Sequence, residues 1–419
     1  MPRLVVAFNS RLAALVVSMV VISAIVMALA GAGPAGTARA QGAPVAAYKT
    51  AAKQAIVVDY ETGAILFQQN ADALVPPASM SKLMTLAVVF KALRDGKLRL
   101  DEEVLVSEDA WRRGGAPSRT SAMFVPVNTK VTVEELLQGI VVQSGNDASI
   151  ALAERLAGSE PAFAKMMEAE ARRIGLTRAT FRNATGLPHA EHLMTARELA
   201  HLTAYLIREF PDHYKRFGQT EFKFRKHLFR NRNPFVSADI KGDGLKTGFT
   251  QASGYGAVGS VARGDRRLIV VLNGLETSIS RRDEAVKITE WAFKGFSPYQ
   301  LFAGGEIVGQ ARVWGGESFY VPLTGGDEPV TILLSRLPMK QRLAAEITYQ
   351  GPLKAPIAKG QRVATLRARS ILTNTVNEVP LYAAEDVAEA SVVRRGLDSI
   401  AMFAFRWVAD QAAGLVEKL

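Results

Sequence analysis

Residues 76–83 read Pro-Pro-Ala-Ser-Met-Ser-Lys-Leu, and an apolar stretch with helical spacing follows them to Leu93. Ser79 stands three residues before Lys82 in the first turn of the predicted helix, so both side chains share one face. In that position the lysine amine can accept the hydroxyl proton that a serine must lose to become an effective nucleophile. The pattern alone is also typical of an ordinary capped helix start in solvent. Whether Ser79 and Lys82 form a catalytic pair therefore depends on which residues the rest of the chain places beside them.

Two further short motifs occur downstream, and each is commonplace in isolation. Ser144-Gly145-Asn146 lies between two predicted helices, where the glycine lets a turn bring a hydroxyl and a carboxamide into one cleft. Lys246-Thr247-Gly248 precedes an apolar strand, and its glycine would let a substrate backbone lie alongside, as in strand addition. A lysine base needs a pKa well below the usual value of about 10.4, and a positive charge at Lys246 could lower that of Lys82. Together the three motifs favour a serine acyl-transfer site.

The predicted secondary structure places strands at both ends of a helical region. One hairpin joins residues 56–58 to 65–67, and a second joins 255–262 to 267–272. Helical patterns lie between these hairpins and just beyond the second, at 79–93, 133–142, 147–157, 161–174, 196–207 and 281–293. We therefore predict an α+β fold, in which one antiparallel sheet built from distant segments packs against a helical cluster.

The pattern changes after residue 296. Short strand-like runs separated by glycine-rich turns continue to residue 385, which is typical of a small all-β sandwich or barrel without catalytic residues. Residues 386–419 are predicted to contain an amphipathic helix. Its aromatic residues lie beside Arg406 and suit a lipid interface, so the helix could attach the protein peripherally to a membrane. The alternative is a helix that docks on its own β-domain.

Residues 1–40 form a separate segment. A basic start precedes the apolar run 12–30, and Ala38-Arg39-Ala40 has the small-x-small pattern of a signal peptidase site. We predict a cleaved signal peptide and therefore an exported protein, periplasmic or on the outer face of the cytoplasmic membrane. The alternative is a retained anchor, because the apolar run is long enough to span a bilayer.

Composition narrows the classes of function. The net charge is +11, and removing residues 1–40 takes away three arginines and no acids, which leaves 11 − 3 = +8. The basic residues are dispersed and no nucleic-acid motif occurs, so we expect no nucleic-acid partner. The absence of cysteine excludes disulfides, thiolate metal sites and a cysteine nucleophile. The five histidines lack metal-ligand spacing, so we expect them at the surface and predict neither a metal nor a cofactor.

With these motifs in this order, the sequence resembles the low-molecular-mass penicillin-binding proteins that act as serine D-alanyl-D-alanine carboxypeptidases. Further matching stretches are Gly186-Leu187 and Thr195-Ala196-Arg197-Glu198. The resemblance covers nearly the whole chain. It implies a catalytic domain of the β-lactamase and penicillin-binding transpeptidase type at 41–296, a β-rich domain at 297–385 and a membrane-associating helix at 386–419.

The resemblance also implies roles for individual residues. Ser79 would be acylated, Lys82 would be the base, and Ser144 with Asn146 would move protons and hold the substrate amide. Lys246, Thr247 and Gly248 would line the opposite wall, and the backbone N–H groups of Ser79 and Phe249 would form the oxyanion hole. Thr247 and an arginine would bind the terminal carboxylate; we prefer Arg281 to Arg282, across a one-residue difference in turn length.

The expected reaction removes the terminal D-alanine from a peptidoglycan stem pentapeptide through a Ser79 acyl-enzyme, which β-lactam antibiotics would also form. A D,D-endopeptidase and a β-lactamase are the enzymatic alternatives. Against a β-lactamase stand the additional β-domain and Gly145, where such enzymes carry aspartate. A non-catalytic wall-binding protein on the membrane is the alternative from another class, although the intact motifs oppose it.

Overall fold

The computed structural model describes residues 48–237, 239–336, 343–370, 375–396 and 398–399. The predicted signal peptide and residues 400–419 of the terminal segment lie outside the described residues. Within these ranges, no helix combines the length and the apolar character that a membrane crossing requires.

The first domain contains eight helices among the described residues. They are α1 (Lys82–Arg94), α2 (Glu108–Gly114), α3 (Val133–Gln138), α4 (Asn146–Ala157), α5 (Glu160–Arg173), α6 (Ala196–Glu209), α7 (Pro211–Tyr214) and α8 (Ser278–Gly295). Its strands are β1 (Gln54–Asp59), β2 (Ile65–Gln69), β3 (Glu103–Val106), β4 (Thr129–Thr132), β5 (Glu221–Phe224), β6 (His227–Arg230), β7 (Gly244–Thr250), β8 (Gly254–Arg263) and β9 (Arg266–Leu275).

The main sheet of this domain is antiparallel, with strand order β2-β1-β9-β8-β7. It joins a hairpin from the start of the domain to one from its end, as the sequence predicts, and β7 forms one edge. Consecutive residues of β1 face opposite cores: Ile56 packs among the helices, whereas Val57 packs on the α8 side. The α+β prediction is confirmed, because helices cover both faces of one antiparallel sheet.

Two predicted helices differ from the observed ones at positions that matter for the site. Ser79 lies in a 3₁₀ turn, Ala78–Ser81, and α1 begins only at Lys82. The predicted helix 133–142 ends at Gln138 and continues as a π-helical turn, Gly139–Gln143. Hydrophobic periodicity alone does not distinguish a π-helical turn from a regular α-helix, because the π turn buries Ile140 and Val141 just as a regular helix would.

The second domain is all β, as predicted. Its strands are β10 (Phe296–Phe302), β11 (Ile307–Trp314), β12 (Tyr320–Thr324), β13 (Val330–Ser335), β14 (Leu343–Thr348), β15 (Leu353–Lys354), β16 (Arg362–Ser370) and β17 (Val376–Ala383). They enclose a separate apolar core that includes Val313, Leu323 and Leu381. Strand β10 follows α8 without a loop, and β17 pairs with β2 through Val376 and Ile65.

Candidate active site

The serine and lysine of the first motif are in direct contact. Lys82 Nζ donates a hydrogen bond to Ser79 Oγ over 3.0 Å, and the lysine side chain is fully buried. Ala78, just before the serine, has a positive φ of 49°, a conformation unusual for a residue with a Cβ. The tight turn keeps residues three apart on one side, so the predicted pairing survives although Ser79 precedes the α-helix.

Two more acceptors surround the Lys82 amine. Asn146 Oδ1 lies 2.7 Å from Nζ, and the Thr185 carbonyl oxygen also accepts a hydrogen bond from it. Asn146 is itself oriented by its amide, which donates to Thr120 Oγ1 over 2.8 Å. The amine therefore has a fixed position between Ser79 Oγ and the second motif.

The surroundings of Lys82 favour its neutral form. Burial lowers its pKa from 10.5 to about 7, and the positive charge of Arg232 acts in the same direction. The carboxylates of Glu160 and Asp147 oppose this lowering but do not cancel it. Near neutral pH the amine can thus accept a proton, as a general base must.

A buried acid holds the segment that supplies the Thr185 carbonyl. Glu160 Oε1 accepts a hydrogen bond from the Ala184 backbone N–H over 2.9 Å, while Oε2 pairs with Arg113 at 2.5 Å. Next in the chain, Gly186 has φ +75°, and a Cβ there would lie 2.0 Å from the Ala78 carbonyl oxygen. Only glycine permits this close approach of the 184–186 segment to the nucleophile turn.

Ser144 follows the π-helical turn in the left-handed conformation, with φ 66°. Its hydroxyl is buried and makes no hydrogen bond within the described residues. The neighbouring Asp147 accepts backbone hydrogen bonds from Met123 and Val125, at 2.9 and 3.2 Å, and fixes the segment before β4 against α4. Asn146, through its contact with Lys82 Nζ, lies on the Lys82 side of the cleft.

Edge strand β7 provides the opposite wall. Lys246 is buried, and its pKa lies well below the ordinary value because of burial, with smaller contributions from the charges of Lys82 and two arginines. Gly248 packs closely against the turn that carries Ser79. A Cβ on Gly248 would lie 2.9 Å from the Pro77 carbonyl oxygen and 3.1 Å from Ala78 Cβ. Its small size lets β7 pack on the turn that carries Ser79.

The two candidate arginines at the start of α8 have different environments. Arg281 is 8% exposed, and its guanidinium makes long hydrogen bonds to the carbonyl oxygens of Gly256 (3.5 Å) and Arg232 (3.4 Å). Gly256 is paired across the sheet with Gly248, so this contact brings the guanidinium next to β7, and its charge lowers the pKa of Lys246. Arg282 is exposed and pairs with Asp283. The structure places Arg281, rather than Arg282, next to the third motif.

Sequence reasoning missed Arg232, which lies in the loop after β6. Its Nη2 donates to the Gln143 carbonyl oxygen over 2.8 Å and to Ser121 Oγ over 3.2 Å. Its charge also lowers the pKa values of Lys82, Lys246 and Arg281. Because the chain has 51 basic residues, no local pattern separates this arginine from the others.

The histidine prediction was wrong for His192. This residue is 2% exposed, and burial lowers its pKa to about 4. It lines a mostly apolar cavity of about 340 Å³ beside the nucleophile turn, together with Pro76, Pro77, Ala78, Gly186, Leu187, Pro188, His189, Ala190, Thr250 and Ala252. The described ranges contain no cluster of three or more His, Cys, Asp or Glu residues that could hold a metal ion.

Comparisons with known proteins agree with this geometry. A family model described as D-alanyl-D-alanine carboxypeptidase matches residues 39–277, and one described as penicillin-binding protein 5, C-terminal domain, matches residues 296–389. The curated D-alanyl-D-alanine carboxypeptidase DacC of Escherichia coli is 36% identical over 375 residues, which are 89% of this chain and 93% of that protein.

Solved structures give the same result. Penicillin binding protein 5 from Haemophilus influenzae superposes with a TM-score of 0.67 at 32% identity, over 82% of this chain and all (100%) of that chain. The ampicillin-bound form of penicillin-binding protein D2 from Listeria monocytogenes superposes with a TM-score of 0.52 at 28% identity, over 58% of this chain and 98% of that one.

The contact of Gly248 with the nucleophile turn is open to test. Gly248→Ala should lower the free energy of unfolding by roughly 1–3 kcal/mol, because a methyl group must displace the Pro77 carbonyl or move β7. Thermal unfolding would measure this. Gly218→Ala is the matched control: its Cβ would find its nearest neighbour at 3.6 Å, so a change within about 0.5 kcal/mol is expected. Equal effects of the two substitutions would contradict the packing role.

Proposed function

The chain belongs to the D-alanyl-D-alanine carboxypeptidase family, and from this premise we propose which of its residues perform the reaction and where in the cell it takes place. The protein is a serine D-alanyl-D-alanine carboxypeptidase. The observation that carries our assignment of the nucleophile and the base is the buried Lys82 amine, 3.0 Å from Ser79 Oγ and 2.7 Å from Asn146 Oδ1.

In the first half of the proposed reaction, Ser79 Oγ attacks the carbonyl carbon between the two terminal D-alanines, and neutral Lys82 takes the hydroxyl proton. The backbone N–H groups of Ser79 and Phe249 stabilise the oxyanion. The carbon–nitrogen bond then breaks, and the departing amine of D-alanine receives the proton that Lys82 took, relayed through Ser144, so that Lys82 is neutral again. An ester of Ser79 with the shortened peptide remains.

In the second half, a water molecule gives a proton to Lys82 and attacks the ester carbonyl. The carbon–oxygen bond to Ser79 breaks, and the serine hydroxyl regains its proton from the lysine. Asn146 would hold the amide of the penultimate residue during both steps. The peptide leaves one D-alanine shorter, and the lysine returns to its neutral form.

Recognition of the terminal carboxylate falls to the opposite wall. Lys246, Arg232 and Arg281 are close enough for their charges to influence one another, and Thr247 lies half-buried on β7 beside them. Burial and the charge of Arg232 lower the pKa of Arg281 to about 10, so it remains a cation at neutral pH. The two arginines favour a substrate that ends in a carboxylate.

We propose that β-lactam antibiotics acylate the same serine. The ampicillin-bound relative from Listeria supports this, because it shares the fold over 98% of its chain. The peptidoglycan stem pentapeptide is the proposed natural substrate. A non-catalytic wall-binding role has no comparable support, since the nucleophile, the base and the second motif form one connected set of hydrogen bonds.

We further propose that the protein is exported, periplasmic or on the outer membrane face, with residues 386–419 attaching it to the membrane. The beginning of this segment is tied to the β-domain. Asp398 pairs with Arg312 at 2.5 Å and accepts a hydrogen bond from the Gly315 N–H over 3.1 Å. Val392 and Val393 are about three-quarters exposed (74% and 75%). The amphipathic pattern beyond residue 399 supports attachment at that point.

The catalytic assignment is tested with a fluorescent penicillin and a pentapeptide ending in D-Ala-D-Ala. Ser79→Ala should abolish both covalent labelling and D-alanine release, because no other group takes the acyl chain. Arg281→Ala should lower kcat/KM for the pentapeptide roughly 10- to 100-fold, the range expected for a lost charged hydrogen bond, and should impair penicillin acylation less.

Arg282→Ala is the matched control for the carboxylate site and should behave like the unmodified protein, since its side chain is exposed and pairs with Asp283. Equal losses in peptide cleavage and penicillin acylation for Arg281→Ala would reject its role. Rapid turnover of penicillin would instead favour a β-lactamase.

The base assignment predicts a pH dependence. Because neutral Lys82 is the active form, the penicillin acylation rate should rise with pH to a plateau, with a midpoint near 7. Arg232→Gln removes a positive charge that lowers the pKa of Lys82, so the midpoint should move to higher pH. Arg230→Gln, two residues away and exposed, should leave it unchanged. A profile that does not vary with pH, or a midpoint moved to lower pH, would contradict the assignment.

The membrane proposal is tested by truncation. Removing residues 400–419 should release the protein from vesicles that contain anionic lipid while penicillin labelling persists. Removing 392–419 should additionally lower the free energy of unfolding by roughly 1–3 kcal/mol, since Arg312 and the Gly315 N–H lose their buried acceptor. Continued vesicle binding by the protein that lacks residues 400–419 would show that another part of the chain attaches it to the membrane.

A further inference from the structure

The side chain of Phe249 is an unexplained feature of the active-site wall. The proposed mechanism uses only its backbone N–H, yet the phenyl ring is 50% exposed directly beside the Lys-Thr-Gly motif. Phe249 is paired across the sheet with Tyr255 on β8, and their ring centroids are 4.2 Å apart with planes inclined at 31°. An exposed aromatic ring held in this way presents a fixed apolar surface to solvent.

Arg281 lies next to this aromatic pair. The guanidinium carbon of Arg281 lies 5.6 Å from the centroid of the Tyr255 ring. Arg281 Nε is buried and has no hydrogen-bond partner among the described residues, and the other bonds of the guanidinium are long. Phe249, Tyr255 and Arg281 therefore form a continuous surface, from solvent to the cation proposed to bind the terminal carboxylate.

The pleat of β7 determines which side chains lie on the same face of the sheet as the Phe249 ring. Gly248 is directed at the nucleophile turn, as its contact with Pro77 shows. Thr247 and Phe249, on either side of it, point to the other face of the strand. The aromatic ring thus neighbours Thr247, the second residue proposed to bind the carboxylate. A terminal residue whose carboxylate lies between Thr247 and Arg281 has its own side chain next to the ring of Phe249.

We propose that the Phe249–Tyr255 pair is a specificity-determining surface that receives the methyl group of the substrate's terminal D-alanine. This inference rests on the proposed function, because it takes the carboxylate position from Thr247 and Arg281. A methyl group that covers an exposed aromatic ring removes apolar surface from water, which corresponds to roughly a fourfold preference over glycine at this position. The pair favours a small apolar terminal residue through contact, independently of the acylation chemistry.

The test compares two peptides with identical acyl portions, one ending in D-Ala-D-Ala and the other in D-Ala-Gly. The ratio of their kcat/KM values is measured for the full chain and for Phe249→Ala, Phe249→Leu and Tyr255→Leu. Phe249→Ala should lower the ratio roughly fourfold, chiefly through the D-alanine peptide. Phe249→Leu, which keeps apolar bulk, should retain most of the preference, and Tyr255→Leu should lower it by a smaller factor.

Phe319→Ala is the matched control, since this phenylalanine of the β-domain is also about half exposed, at 46%. It should leave the ratio unchanged. A ratio that stays constant in Phe249→Ala would overturn the inference, even if both rates fell together, since equal losses indicate a disturbed oxyanion N–H. Failure of the unmodified protein to release either terminal residue would instead refute the proposed function itself.

Discussion

The burial of Lys82 is the constraint on which the rest of the site depends. An ammonium group without solvent is costly, so burial displaces the equilibrium toward the neutral amine, and Arg232 adds to that displacement. Three oxygen acceptors from separate parts of the chain fix the amine in place, those of Ser79, Asn146 and Thr185. Because a buried amine tolerates little change in its partners, the segments that supply them must be fixed as well.

Close backbone packing meets that requirement. Gly186 and Gly248 bring two different segments against the turn that carries Ser79, one from the helical side and one from the sheet. Glu160 then fixes the 184–186 segment through the Ala184 N–H, and Asp147 fixes the segment before β4. The nucleophile is therefore oriented by packing on two sides, which explains how Ala78 is held at a positive φ.

Sequence alone could predict the three motifs, both hairpins, the α+β class and the all-β second domain, because each is expressed in local periodicity or in short spacing. It could not identify Arg232, Thr185 or the buried environment of His192. These residues act through neighbours far away in the chain, and an arginine or a carbonyl oxygen has no local signature. The contact of Gly248 with Pro77 could not be predicted either, because a glycine indicates a close approach but not which segment makes it.

The arrangement of charges also has a consequence for the protonation of Lys82 when substrate binds. The charges of Arg232 and Arg281 lower the pKa of Lys246, and the charge of Arg232 also lowers the pKa values of Arg281 and Lys82. A carboxylate that binds among these cations offsets part of their positive charge, which raises the proton affinity of Lys82. Because the neutral amine is the active form, this shift should move the midpoint of the pH profile upward for a substrate that ends in a carboxylate. The terminal carboxylate therefore gains binding energy from the arginines while it lowers, at a given pH near 7, the fraction of Lys82 that can accept the serine proton.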